Sequence, residues 1–167
     1  MVTFHVSAQN VDKVKWYTID EALKLNAVAP RKILIDVFTD WCGYCKKMDA
    51  ETFNHPTIAK YINQHFYAVK FDAESTETVV FGGQTFQQGS AGRGSRKPTH
   101  QFVSALGISG YPTVVYFTND LKLIGPVPGF LTAIKIEPLL HFVVEEKYLT
   151  TTFEEFEKTF VGELNKK

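Results

Sequence analysis

The chain has 167 residues, enough for one domain with a sizeable apolar core. Eighteen basic side chains balance eighteen acidic ones, which excludes the basic footprint of a nucleic-acid or anionic-lipid binder. No apolar run approaches the roughly 18 to 20 residues of a membrane span, and two cysteines are too few for a disulfide-stapled scaffold.

The first ten residues, MVTFHVSAQN, lack the charged region and apolar stretch of a signal peptide. They fit either a cytoplasmic protein or one whose signal has been removed. Thr18 and Glu21 have capping-box spacing, and Ala22, Leu23 and Leu25 follow, so a helix is expected over about 18 to 28. Pro30 breaks it. Residues 33 to 38, ILIDVF, form a short run rich in branched side chains that fits a strand covered on both faces. A helical pattern runs from Gly43 to about Phe53, and Pro56 opens another through Ile58, Tyr61 and Ile62. Phe66 to Phe71 is the next strand.

The composition then changes. Over residues 75 to 98, VVF-GG-QTF reads as a hairpin on a two-glycine turn, followed by a basic loop from Gly89 to Lys97. Its Arg93, Arg96 and Lys97 are expected to be solvated rather than an anion site. A short helix over about 99 to 106 leads to the turn Gly107–Pro112. Thr113 to Phe117 is a strand, and Leu121 to Ile124 its expected antiparallel partner. Leu131 to Lys147 reads as a helix with apolar positions Ile134, Ile136, Leu139, Leu140 and Val143. Thr152 and Glu155 repeat the capping-box spacing, and Phe153, Phe156, Phe160 and Leu164 form a stripe after it. That stripe predicts a terminal helix docked on the domain over about 152 to 165; a dimer or partner helix is the second reading. The element order predicts an α/β fold with a mixed sheet.

The chemistry concentrates in DWCGYCKKM, which holds both cysteines. Cys42 follows a buried strand at the start of a helix, where free amides and the helix dipole stabilise a thiolate, the reactive form of the thiol. Cys45 lies one turn on, on the same face, within reach to close a disulfide or resolve a mixed one. A structural zinc site needs four ligands. The chain has no second CxxC, and His5, His55, His65, His100 and His141 lack ligand spacing. Two inert buried thiols are the remaining reading. Asp36 lies inside the apolar strand, six residues before Cys42. It is either an exposed edge residue or a buried acid of raised pKa that takes a proton when Cys45 becomes nucleophilic. Pro112 is either an ordinary trans turn or a cis bend that offers the backbone of Tyr111 to an extended partner.

Together, the strand with Asp36, the Trp41-Cys42-Gly43-Tyr44-Cys45-Lys46 run and Gly110-Tyr111-Pro112-Thr113 resemble the thioredoxin superfamily over about residues 16 to 147. Trp16, WCGYCKKM, the VVFGGQTF hairpin and GYPT resemble its DsbD-gamma-like, thioredoxin-7 type of bacterial proteins. The resemblance implies a thioredoxin-like fold: a central mixed sheet flanked by helices, here with a hairpin insert at about 75 to 98 and an extra C-terminal helix, in one domain over 1 to 167. It implies Cys42 as attacking thiol, Cys45 as resolving thiol, Asp36 as buried acid and Pro112 as the cis-proline facing the disulfide. Trp41 becomes a groove wall, and Tyr44 and Tyr111 join it at the substrate. Tyr44 stands where thioredoxin has proline. Thioredoxin's lysine partner of the buried acid has no clean equivalent, because Lys70 looks out of register.

The function implied is a thiol–disulfide oxidoreductase that reduces protein disulfides, monomeric, with no cofactor, metal, nucleic acid or membrane insertion. An upstream dithiol donor, such as a membrane thiol reductase, would recharge it. An exported, periplasmic location follows from the resemblance, against the cytoplasmic reading of the N-terminus. A disulfide isomerase or oxidase of the same fold is one alternative. A non-catalytic adaptor or chaperone module is the other.

Overall fold

The computed structural model describes residues 13–90 and 97–164. The N-terminal decapeptide with His5, and Arg93 and Arg96 of the basic loop, lie outside the described residues. The chain runs β1 (Trp16–Tyr17), α1 (Ile19–Val28), β2 (Lys32–Phe38), α2 (Gly43–Met48), α3 (Pro56–His65), β3 (Phe66–Asp72), β4 (Val79–Phe81) and β5 (Gln84–Phe86). It continues through α4 (Gln101–Ala105), β6 (Thr113–Phe117), β7 (Leu123–Pro128), α5 (Ala133–Val144) and α6 (Phe153–Thr159). A wide helical turn, Asp49–Phe53, extends α2.

Five strands form the main sheet in the order β1-β3-β2-β6-β7. β1, β3 and β2 run parallel, while β6 is antiparallel to β2 and β7 to β6. Alternation along the strands divides the core into two layers. Ile33, Ile35, Val37, Val69, Phe71, Val115 and Phe117 pack with α1, α4 and the β4–β5 hairpin. Leu34, Phe66, Ala68, Val114 and Tyr116 pack with Met48, Phe53, α3 and α5. The sheet is thus mixed and covered by helices on both faces, as the sequence predicts.

Local signals hold where they are short-range. Thr18 forms the full capping box with Glu21. Gly82 and Gly83 both take positive φ, 58° and 79°, which the two-residue turn between β4 and β5 requires. The excursion returns to the sheet at His100, which is fully buried. Its Nδ1 accepts from the Phe102 N–H (3.1 Å), so the Nε2 proton is the one given to the Glu77 carbonyl (2.8 Å).

Five expectations need correction. β7 begins at Leu123, not Leu121, because Leu121 adopts a left-handed conformation (φ 64°) in a turn closed by Thr118 and Lys122. The strand then runs on through Pro126 and Pro128, which an edge strand tolerates. α5 spans 133–144 rather than 131–147, and left-handed Glu146 (φ 55°) ends the helical path before a short tight turn over Lys147–Leu149. Ile134 on α5 is exposed, not a core position. α6 stops at Thr159. Phe153 and Phe156 pack on Phe142 of α5, but Leu164 packs against the core from an irregular, bent segment after the helix. The Thr152 box is half made: its hydroxyl accepts from the Glu155 N–H, while the Glu155 carboxylate takes the Thr151 hydroxyl.

Candidate functional site: a cysteine pair at the end of the central strand

β2 delivers the chain to a turn in which the Cys42 N–H donates to the Thr39 carbonyl (3.1 Å). Cys42 then caps α2, its sulfur accepting from the Cys45 N–H at 3.1 Å. Cys42 and Cys45 are joined as a disulfide, with Cα atoms 5.3 Å apart. Both are buried, at 5% and 2% exposure, while the neighbouring Trp41 and Tyr44 are 67% and 65% exposed. The disulfide therefore lies low between two projecting aromatic rings.

Each ring leans on a residue flanking the antiparallel strands, Tyr111 before β6 and Phe130 after β7. Trp41 meets Tyr111 edge-on, with centroids 6.0 Å apart, and Tyr44 meets Phe130 at 6.1 Å. The Lys47 ammonium lies over the Phe130 ring, 5.2 Å from its centroid. The Tyr111–Pro112 peptide bond is cis. The Pro112 carbonyl accepts from the Gly129 N–H (2.8 Å) and the Gly110 carbonyl from the Thr113 hydroxyl (2.8 Å). These bonds hold the 110–113 turn against the end of β7.

Asp36 is buried, 1% exposed, so the edge-position reading fails. Burial pushes its pKa up to about 6, although the Lys70 ammonium pulls it down. Lys70 Nζ lies 2.7 Å from Asp36 Oδ2 and also pairs with Asp49 after α2. The other Asp36 oxygen is buried with no hydrogen-bond partner. The pairing with Lys70 corrects the sequence reading. β2 and β3 are both seven residues long and pair in parallel from Lys32↔Phe66, which puts Asp36 opposite Lys70. The expected strand began at Ile33, and matching it to Phe66 sets Asp36 opposite Val69; only a start at Lys32 brings Asp36 to Lys70.

Sequence reasoning also missed Phe130, Asp49 and Glu74, whose carboxylate accepts from the Trp41 indole N–H at 3.0 Å. None carries a local motif. Among the described residues, no cluster of three His, Cys, Asp or Glu side chains could hold a metal ion. No helix among them is long and apolar enough to cross a membrane.

A family model described as a thioredoxin-like domain matches residues 19–144. The chain belongs to that thioredoxin-like family. The Cys42–Cys45 pair lies within the matched residues. The chain is 24% identical over 131 residues to the thiol:disulfide interchange protein DsbD of Pectobacterium atrosepticum, covering 77% of this chain and 19% of that protein. It spans less than a fifth of the length of the curated relatives it matches, at 19% and 14%. Among solved structures, a thioredoxin-fold protein from Helicobacter pylori superposes with a TM-score of 0.58 at 18% identity, covering 77% of this chain and 79% of that one. A candidate disulphide isomerase from Bacteroides thetaiotaomicron gives 0.57 at 24% identity, covering 87% and 100%. These superpositions establish the thioredoxin-like fold.

Proposed function

We propose that the protein reduces protein disulfides through Cys42 and Cys45. The Cys42 thiolate attacks a substrate sulfur, forming a mixed disulfide and releasing the first substrate thiolate. Cys45 loses its proton and attacks Cys42, which releases the second substrate thiolate and leaves the Cys42–Cys45 disulfide. Two electrons pass from the dithiol to the substrate. Asp36 is the acceptor of the Cys45 proton, and Lys70 sets its charge. Tyr111 and Pro112 face the substrate chain, with Trp41 and Tyr44 as its aromatic walls. The oxidised pair is recharged by an upstream dithiol donor, a role that a membrane thiol reductase fits. An exported location and a monomeric single domain complete the reading.

The observation that carries it is the pair at the end of the central strand, low between exposed aromatic rings and beside the 110–113 turn. The name of the Pectobacterium relative, a thiol:disulfide interchange protein, supports the reaction class. The test is equilibration of the pair against glutathione buffers. A potential near about −270 mV supports a reductase; about −120 to −180 mV overturns that direction in favour of an oxidase or isomerase. The Cys45→Ser variant should accumulate a mixed disulfide on Cys42, and Cys42→Ser should form none. If the double serine variant keeps its function in cells, the adaptor reading replaces this one.

A further inference from the structure

Described residues between β3 and α4 contact the exposed Trp41 ring and the half-buried Tyr111 ring on one side of the disulfide. Glu74, just after β3, accepts from the Trp41 indole N–H (3.0 Å). Its other carboxylate oxygen faces Lys97 at 3.8 Å, on the returning limb of the segment. The Glu74 carbonyl accepts from the Gln88 amide (3.2 Å), and its N–H donates to Asp72 (2.9 Å). Thr99, also on the returning limb, lies beside the Tyr111 phenol and acts against the upward push of burial on its pKa. Trp41 and Tyr111 are thus each anchored to the same excursion and packed on one another.

We propose that Glu74 is a positioning residue that makes the limbs of the excursion at 73–90 and 97–100 a specificity element for extended polypeptide disulfides, by holding Trp41 against Tyr111 beside Cys42. This rests on the disulfide-exchange reading above. An exposed indole without an anchor samples several rotamers, and a substrate lying along it must bear the entropy of fixing it. A half-buried carboxylate held by Lys97, on a residue whose backbone is bonded to Asp72 and Gln88, removes that cost before the substrate arrives. A small disulfide reaches the Cys42 sulfur without lying along the walls, so it gains little from the anchor. An extended peptide lies across both rings and gains most.

The test compares a disulfide-bonded polypeptide with hydroxyethyl disulfide as substrates. A Trp16→Phe background leaves Trp41 as the single tryptophan, because the chain has two. Glu74→Ala should raise KM for the polypeptide about tenfold with kcat within about twofold, the scale of one lost hydrogen bond to a charged group. The preference for polypeptide over hydroxyethyl disulfide should fall by the same factor, and acrylamide should quench Trp41 more efficiently. Glu74→Gln keeps an acceptor for the indole N–H and should restore KM to within about twofold. An unchanged KM in Glu74→Ala, with the parent active on both substrates, overturns the proposal alone. Equal loss on both substrates with a lowered Tm overturns it too, since the role is then structural. A parent that reduces neither substrate overturns the disulfide-exchange reading itself.

Discussion

Asp36 sits among the buried residues of β2, and its neighbours Ile35 and Val37 are wholly buried apolar side chains. A carboxylate there survives because Lys70 stands opposite it in register, yet one oxygen has no hydrogen-bond partner. Desolvation outweighs the ammonium, and the pKa rises from 3.8 to about 6. The sign of the pH dependence follows. A folded pKa above the unfolded value favours folding fully below about pH 4, and that contribution is lost as pH rises through about 6. The shift corresponds to a loss of order 3 kcal/mol. Asp36→Asn should remove most of it: denaturant unfolding of the oxidised protein should show a flatter stability profile between pH 4 and 8 than the parent. Parallel profiles would mean that Asp36 does not titrate in this range. The same substitution should slow resolution of the mixed disulfide at neutral pH. Asp36 was legible as an anomaly, a charge inside an apolar strand. Lys70 was not, because its meaning lies in a pairing between strands 34 residues apart.

At the scale of elements, the outcome depends on how far each signal reaches. The Thr18 box and the Gly82-Gly83 turn act within four residues and formed where expected. The two boxes differ in a measurable way. Thr18→Ala loses two reciprocal bonds at the start of α1 and should cost about 1 kcal/mol of unfolding free energy. Thr152→Ala loses one bond, on a helix with no buried residue, and should cost less than about half of that. Equal costs would show that the reciprocal bond contributes nothing. The errors fell at β7, α5 and α6. At α5 and α6 the local pattern continues past the helix end, and at β7 it begins before the strand; what sets the boundary is a left-handed residue or a distant contact. Leu121 and Glu146 show this, since neither is glycine or asparagine and nothing in their identity announces positive φ.

Across the whole molecule, the end of the described chain is pinned to α5 by one buried side chain. Glu137, 3% exposed, accepts from the N–H groups of Glu163 (2.6 Å) and Leu164 (3.1 Å). Those bonds hold the segment after α6 off the helical path, where the half-buried Leu164 packs against the core. A Cβ on Gly162 would collide with the Glu137 carboxylate. Gly162→Ala should therefore destabilise by about 1 to 3 kcal/mol, as overpacking of a tight site does. It should also expose the C-terminal segment to limited proteolysis, read by mass spectrometry. An unchanged Tm and digestion pattern would show that the segment is not held there.

Residue order was enough for the α/β class, the central strand and the placement of the cysteine pair at its end, because hydrophobic period, capping and turn chemistry act over a few residues. The DWCGYCKKM and GYPT motifs led to the thioredoxin-like family for the same reason: each is a contiguous run. Tertiary structure alone decided the partner of Asp36, the anchoring of Trp41 by Glu74 and the Glu137 contact that ends α6. Each is an interaction between polar groups more than 20 residues apart. Such pairs exist only once burial has removed water as the competing partner and the sheet has set the register that brings them together.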